Sequence, residues 1–279
     1  MGKPVLILFT LLAVVISSNK AQYYYRDIVS NKQALREQQE LKDQKIRTIK
    51  VHSFEGNGVA SEGFFCEKNI SKDYRKMETF TRSYVSGKSL LTAYYDDNNL
   101  LVRSSDSSDL SVASSFYKYD SKGNISSIVF RSHSNDDDFA TALTEEHLYF
   151  YNNAGQPIKM LRTRNKKDSA TIVFKLDEHG NVVDELEQGK DGYRYYYYYN
   201  DKNRLTDIVK FNVVKNKLLP DFMFEYNSAG QVTQMISTEE GANSNYYTWK
   251  YVYNDGLRII EKCFSKEKNL LGYFEYEYE

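Results

Sequence analysis

The stretch that decides the fold is YYYNDKNRLTDI, residues 197 to 208, because its pattern returns four more times along the chain. The other copies are YKYDSKGNISSI from 117, YFYNNAGQPIKM from 149, FKLDEHGNVVDE from 174 and FEYNSAGQVTQM from 224. All five segments align without a gap. Each has an aromatic residue, any residue, an aromatic residue or leucine, then Asp or Asn, a short polar stretch with Gly or Asn, and an apolar strand. Such repetition indicates a chain built from one supersecondary unit.

Each copy has the pattern of a β-hairpin, since residues two positions apart point to the same face of a strand. The first turn position carries a side chain that accepts backbone N–H groups. These residues are Asp120, Asn152, Asp177, Asn200 and Asn227. Three residues later, a type I turn followed by a G1 bulge needs a positive φ. The residues there are Gly123, Gly155, Gly180, Asn203 and Gly230. We therefore expect structural turns at these positions, with Asn203 in the left-handed region that asparagine tolerates better than most residues.

The run of tyrosines from 195 to 199 places rings on both faces of one strand. Tyr197 and Tyr199 occupy the aromatic repeat positions, so we expect them to pack against the rings of neighbouring copies. Tyr196 and Tyr198 take the opposite face, where the other copies carry Lys118, Phe150, Lys175 and Glu225, and we expect them to be the more exposed pair.

The candidate binding surface consists of Tyr196, Tyr198 and Trp249. Exposed aromatic rings stack on sugars or hold protein partners, whereas rings in the same pattern also shield a thin core. Trp249 is the best single candidate for an exposed platform, although a large aromatic residue is more often mostly buried.

The two ends of the hairpins differ in sequence. One end has short, stereotyped turns, and the other has longer polar loops of variable length, such as residues 132 to 146 and 238 to 245. Binding residues concentrate in loops of this kind. A recognition surface made of loops is therefore expected at the variable end.

The repeated motif resembles the YD repeat of the RHS-repeat family, whose units begin with tyrosine and aspartate and have a glycine turn before an apolar strand. The resemblance covers residues 94 to 279, and the best copies begin at 117 and 224. It implies the hairpin unit and an exported or surface-exposed protein. Large members of the family build hollow β-shells around a cargo. That role is not carried over, because this chain has few copies and Asn in place of Asp in most turns.

The start of the chain predicts two further segments. Lys3, a largely apolar run from 5 to 16 and small residues up to Ala21 are typical of a secretory signal peptide at 1–21. That apolar run is shorter than the roughly 20 residues of a transmembrane helix. Residues 22–47 predict a polar, helical leader, because they are highly charged and contain no Gly or Pro.

The expected fold is all-β. Residues 48–279 predict a single domain of repeated β-hairpins, with clear repeats at 94–279, arranged as an antiparallel meander. On the order of 16 strands exceed the size at which open twisted sheets usually curl or split. We therefore expect a large sheet that curls or partly closes on itself.

Composition and motif searches exclude several classes of function. The 38 acidic and 37 basic residues nearly balance, so there is no electrostatic basis for nucleic-acid binding. The four histidines have no metal-ligand spacing, and no cofactor is expected. Asp136, Asp137 and Asp138 favour a solvated acidic loop over a calcium site. Cys66 and Cys263 either pair in one disulfide or remain as buried thiols, the commoner fate of a sparse pair.

The predicted function is that of an exported, non-catalytic repeat protein, periplasmic, secreted or at the cell surface, that acts as a binding or structural module. Its partner is unknown; a cell-surface protein or a glycan would fit the tyrosines. The first alternative is an outer-membrane β-barrel, which shares the export signal, alternating strands and unequal hairpin ends. A second is a glycan-binding or glycan-active secreted protein, for which no residue pattern identifies a catalytic pair.

Overall fold

The computed structural model describes residues 23–135, 142–189, 192–212, 216–239 and 245–279. The predicted signal peptide and the aspartates at 136 to 138 lie outside these ranges. The described part contains one helix, α1 (Tyr25–Asp43), and eighteen strands. The strands are β1 (Thr48–Glu55), β2 (Phe65–Ile70), β3 (Lys76–Ser83), β4 (Gly87–Tyr95), β5 (Leu101–Ser108), β6 (Ser111–Tyr119), β7 (Ile125–Ser134), β8 (Ala142–Tyr151), β9 (Pro157–Arg164), β10 (Asp168–Leu176), β11 (Val182–Glu187), β12 (Arg194–Tyr199), β13 (Leu205–Asn212), β14 (Lys217–Tyr226), β15 (Val232–Thr238), β16 (Tyr246–Asn254), β17 (Leu257–Phe264) and β18 (Leu270–Tyr278).

The strands form one antiparallel meander in which each strand pairs with the next along the chain. β1 pairs with β18 as well as with β2, so the meander closes on itself. Thr48 and Glu279 exchange backbone hydrogen bonds of 3.0 and 2.9 Å at this closure. Among the described strands, each of the two terminal ones therefore has a partner on the side where the meander would otherwise end. The all-β antiparallel meander of hairpins predicted from the sequence is confirmed.

The chain divides into two compact units. One comprises Val51–Ser61 and Phe174–Glu277, and the other contains Glu62–Val173 together with α1. In both units the side chains of a strand alternate between a buried and a more exposed face, as the period of two requires. We call the unit that contains α1 the helix unit, and the unit that contains Phe174–Glu277 the tyrosine unit. The single repeat domain predicted at 48–279 thus comprises two units.

Helix α1 is polar but not solvated on all sides. One stripe of the helix, at the spacing that brings residues to the same face, is buried in the helix unit. It consists of Ile28, Asn31, Ala34, Gln38 and Leu41. Asp27 in the first turn and Lys42 in the last turn have the charges that favour the two ends of the helix dipole. The predicted helical leader is present, but it contributes to the core of its unit through polar groups as well as apolar ones.

Candidate functional site

The repeat turns are built as the alignment predicts. Asn200 Oδ1 accepts the N–H groups of Lys202 at 3.0 Å and Arg204 at 3.1 Å, and Asn203 N–H donates to Asn200 O at 2.9 Å. Asn203 has a φ of 55°, and Gly123, Gly155, Gly180 and Gly230 have φ between 79° and 91°. The strand register shifts by one residue just before the turn, as in Tyr198/Tyr199, which is the bulge expected of this turn type.

A side chain pair closes four of these turns. Where the first position is aspartate, Asn four residues later donates to its carboxylate, at 3.0 Å in Asp120 and 2.9 Å in Asp177. Where it is asparagine, as in Asn152 and Asn227, its own Nδ2 donates to Gln Oε1 four residues later, at 2.7 and 2.9 Å. The polar groups at these positions therefore bind each other, and they act as turn formers.

A tyrosine precedes the turn in four of the five copies and also occurs as Tyr253 near the end of β16, and it has a role that the sequence analysis missed. Its hydroxyl donates to the backbone carbonyl at the start of the preceding hairpin's return strand. The five bonds are Tyr119 to Leu101 (2.8 Å), Tyr151 to Ile125 (2.7 Å), Tyr199 to Val182 (2.8 Å), Tyr226 to Leu205 (2.6 Å) and Tyr253 to Val232 (2.9 Å). Only tyrosine among the aromatic residues seen in the repeat has this hydroxyl. The preference for Tyr over Phe at this position was the signal for a bond between neighbouring hairpins.

The three residues of the candidate binding surface do not all lie on an exposed strand face. Tyr198 is 48% exposed, and Tyr196 is half-buried under the guanidinium of Arg194, which lies 4.8 Å from its ring centroid. Trp249 is only 4% exposed, so the prediction of an exposed platform there is wrong. Trp249 stands two residues before Tyr251, which is also buried, so strand alternation places both on the same buried face.

A buried cluster of charged residues connects α1 to β8 in the helix unit. His147 Nδ1 lies 2.6 Å from Asp27 Oδ2, and His147 Nε2 lies 2.8 Å from Glu145 Oε1. The Tyr149 hydroxyl also donates to Asp27 Oδ2, at 2.8 Å, and Arg164 Nε donates to Glu145 Oε2 at 2.7 Å. The His147 side chain is only 1% exposed. Asp27 and His147 are 120 residues apart, a distance that no spacing rule would have bridged.

The cluster is electrostatically matched. Burial acts to lower the pKa of His147, but the carboxylates of Asp27 and Glu145 outweigh it and raise the pKa to about 9. Burial acts to raise the pKa of Glu145, and the hydrogen bonds and charges of His147 and Arg164 overcome it and lower the pKa to about 2. At neutral pH a buried imidazolium therefore lies between two carboxylates, and each charge has a partner.

The tyrosine unit has buried acidic residues of its own. Glu185 is fully buried and its Oε2 accepts the hydroxyl of Tyr197 at 2.6 Å. Glu261 is 3% exposed and its Oε2 accepts Arg258 Nη1 at 3.0 Å and the Tyr276 hydroxyl at 2.9 Å. Buried carboxylates of this kind are stable because protein donors replace the water they lose.

These clusters position structural elements, since protein groups occupy their hydrogen-bonding atoms. Within the described ranges, no group of three His, Cys, Asp or Glu residues could hold a metal ion. Cys66 and Cys263 are free and buried, and burial raises the pKa of both thiols, that of Cys263 to about 12. Low thiolate content disfavours nucleophilic chemistry at either cysteine. No described helix has the length and apolar character of a membrane span.

No protein-family model and no curated protein matches this chain. Among solved structures, the chain is similar to TcdB2-TccC3 without its hypervariable C-terminal region, at 13% identity and a TM-score of 0.37, over 78% of this chain and 12% of that one. It is similar to a porin-like protein from Bacteroides uniformis, at 9% identity and a TM-score of 0.37, over 84% of this chain and 98% of that one. The Tc holotoxin pore of Photorhabdus luminescens with the TccC3 D651A mutation gives 12% identity, a TM-score of 0.32, and coverage of 78% and 15%. This chain thus spans a small part of the Tc proteins and nearly all of the porin-like one. At such scores these are distant likenesses of fold.

Proposed function

We propose that the protein is an exported, water-soluble, non-catalytic module that binds or scaffolds through the charged faces and loop ends of its strands. The observation that carries this proposal is the charge on the exposed strand faces. Strands in both units have exposed charged residues there. They include Arg82, Lys88, Arg103, Lys118, Arg131, Glu146, Lys175, Glu225 and Lys250. A lipid-facing band about 25 Å tall would be apolar, since Lys or Arg costs about 2–4 kcal/mol at the bilayer midplane.

The turn geometry supports a relationship to the YD-repeat proteins. The Tyr–Asp or Tyr–Asn step combines a hydroxyl bond to the previous hairpin with a side-chain cap on the turn, as in Tyr119–Asp120. Each half of the dipeptide thus has a structural reason to recur. We interpret the chain as a short YD-repeat-like protein and assign it no shell or cargo role. Its export rests on the signal-peptide pattern at 1–21.

An outer-membrane β-barrel is the second candidate, and the closed meander of eighteen antiparallel strands favours it. Bacterial barrels have an even number of strands, short turns at one end and longer loops at the other. A glycan-binding protein is the third, favoured by the exposed ring of Tyr198. Binding to a glycan array that is lost in Tyr198→Ala and kept in wild type would support it.

Cell fractionation separates the first two candidates. The full chain, with its own leader, is expressed in a Gram-negative host, and the soluble and outer-membrane fractions are compared with markers of each. We expect the protein in the aqueous fraction, or released from membranes by alkaline carbonate, with the same electrophoretic mobility before and after boiling. Recovery only in detergent, with mobility that changes on heating, would refute the proposal in favour of the barrel.

A further inference from the structure

The loop end of the helix unit has two hairpin tips that carry apolar residues, unlike the polar repeat turns. Tyr84 and Val85, between β3 and β4, are 78% and 69% exposed, and Leu110, between β5 and β6, is 79% exposed. The two tips are neighbours, because Ser89 pairs with Ser108 in the β4–β5 ladder. Three large apolar side chains thus protrude into solvent at one end of the unit. Single exposed apolar residues are common, whereas a group of them at adjacent tips indicates a contact.

Hydrogen bonds hold the backbone of both tips. Ser83 Oγ accepts the N–H of Ser86 at 2.9 Å, and the hydroxyls of these two serines lie 2.7 Å apart. Leu110 O accepts the N–H of Asn135 at 2.9 Å. The Tyr84 ring lies so close to Gly63 that a Cβ there would come within 2.5 Å of it. The apolar side chains therefore extend from a hydrogen-bonded backbone, and such preorganisation lowers the entropy lost on binding.

Two cations lie directly below the first tip. Arg82 and Lys88 are opposite each other in the β3–β4 ladder, and both are exposed. Like charges placed directly opposite destabilise a ladder. In the part of the chain that the structure describes, neither residue forms an ion pair with an acidic side chain. Asp109 brings one carboxylate nearby, 3.6 Å from the position of a Cβ on Gly87. The end therefore combines apolar tips with two exposed cations, and the carboxylate of Asp109 lies nearby.

We propose that this loop end binds the surface of an anionic lipid bilayer. In this arrangement Tyr84, Val85 and Leu110 enter the interfacial region, and Arg82 and Lys88 lie at the level of the headgroups. Tyrosine is enriched at membrane interfaces because its ring is apolar and its hydroxyl is polar. Basic residues beside an apolar contact are attracted by anionic headgroups. A second protein is the poorer occupant, because stable protein interfaces bury roughly 800 Å² per partner, more than two hairpin tips present.

Vesicle flotation tests the proposal. The exported chain, purified without detergent, is floated with vesicles of phosphatidylcholine alone or mixed with phosphatidylglycerol. We expect binding to the anionic vesicles that decreases with added salt. The tip variant Y84S/V85S/L110S and the charge variant R82Q/K88Q should each lose about tenfold or more in affinity. The matched control Y198S/V252S removes exposed apolar side chains from the tyrosine unit and should bind like wild type, with unchanged circular dichroism in all variants.

Three results would overturn the proposal. They are absence of wild-type binding to anionic vesicles, equal binding to neutral vesicles, and equal loss in the Y198S/V252S control. Sedimentation velocity tests the alternative occupant, a second copy of the chain. A dimer that dissociates in Y84S/V85S/L110S, while vesicle binding is unchanged, would show that a second copy binds the tip. These outcomes are separate from those of the fractionation, since peripheral binding is reversed by salt or carbonate and an integral barrel is not.

Discussion

Tyr197 and Tyr198 are neighbours in β12, yet the first is 2% exposed and the second 48%. Tyr197 donates its hydroxyl to the buried carboxylate of Glu185, whereas Tyr198 pairs with Asp207 across the ladder on the exposed face. The same residue type therefore has two roles, and strand alternation decides which. The buried face holds aromatic rings, paired charges and, in the helix unit, α1. The exposed face carries charged side chains. The following predictions test this difference between the two faces.

Tyr197→Ala should have the largest effect, a loss of about 3–5 kcal/mol in the free energy of unfolding, because it removes a packed ring. It also leaves Glu185 without one of its donors. Urea denaturation measures the change, with Tyr198→Ala as the matched control, expected within about 0.5 kcal/mol. Equal losses in the two variants would mean that both faces are buried.

His147→Gln should cost about 3 kcal/mol, since it leaves the buried carboxylates of Asp27 and Glu145 without a cation between them. Its pH dependence has a definite sign. The pKa of His147 is raised from 6.5 to about 9, so its stabilisation is complete below pH 6.5 and is lost as the pH rises through about 9.

Protonation of Glu145 weakens the same cluster at low pH. Its pKa is lowered from 4.5 to about 2, so its stabilisation is present above pH 4.5 and is lost as the pH falls towards 2. Thermal unfolding measured from pH 2 to pH 10 should show the largest difference between wild type and His147→Gln between pH 4.5 and 6.5. A difference that grows above pH 9 would contradict the ion-pair assignment.

Asn203→Val should cost about 1–2 kcal/mol, because a β-branched residue is strained at the φ of 55° that this turn requires. Asn203→Gly should stay within about 0.5 kcal/mol of wild type, as glycine adopts this conformation without strain. Denaturant midpoints of the two variants make the comparison. If Val were tolerated as well as Gly, the positive φ that this alignment predicts at Asn203 would not contribute to stability.

Tyr226→Phe should have a smaller effect, about 1 kcal/mol, because it removes only the hydroxyl bond to Leu205 O. Tyr198→Phe is the control, since the exposed hydroxyl there has water as an alternative partner. Unfolding curves should give a lower free energy of unfolding for the Tyr226 variant than for the Tyr198 variant. Identical curves would show that the bonds between hairpins do not contribute to stability.

The repeat pattern made the hairpins, their turns and the face of each strand predictable from the sequence, because all three depend on residues close together in the chain. The buried position of Trp249 also follows from strand alternation, because Tyr251, two residues later, is buried. The cluster of His147 with Asp27 was not, since it depends on α1 packing against β8, far away in sequence. Nor was the use of Asn31 and Gln38 on the buried side of a helix, because polar residues usually predict a solvated face.

The most direct test of the central claim is whether the exposed strand face meets water or lipid. A nitroxide attached at Tyr198→Cys reports this, because Cys66 and Cys263 are buried and their thiols have raised pKa values, so the label reacts selectively at the new site. Electron paramagnetic resonance then compares collisions of the label with a water-soluble nickel chelate and with oxygen, on protein in the cell envelope. We predict that the nickel chelate relaxes the label more strongly than oxygen does. Stronger relaxation by oxygen would place this face in lipid and contradict the account.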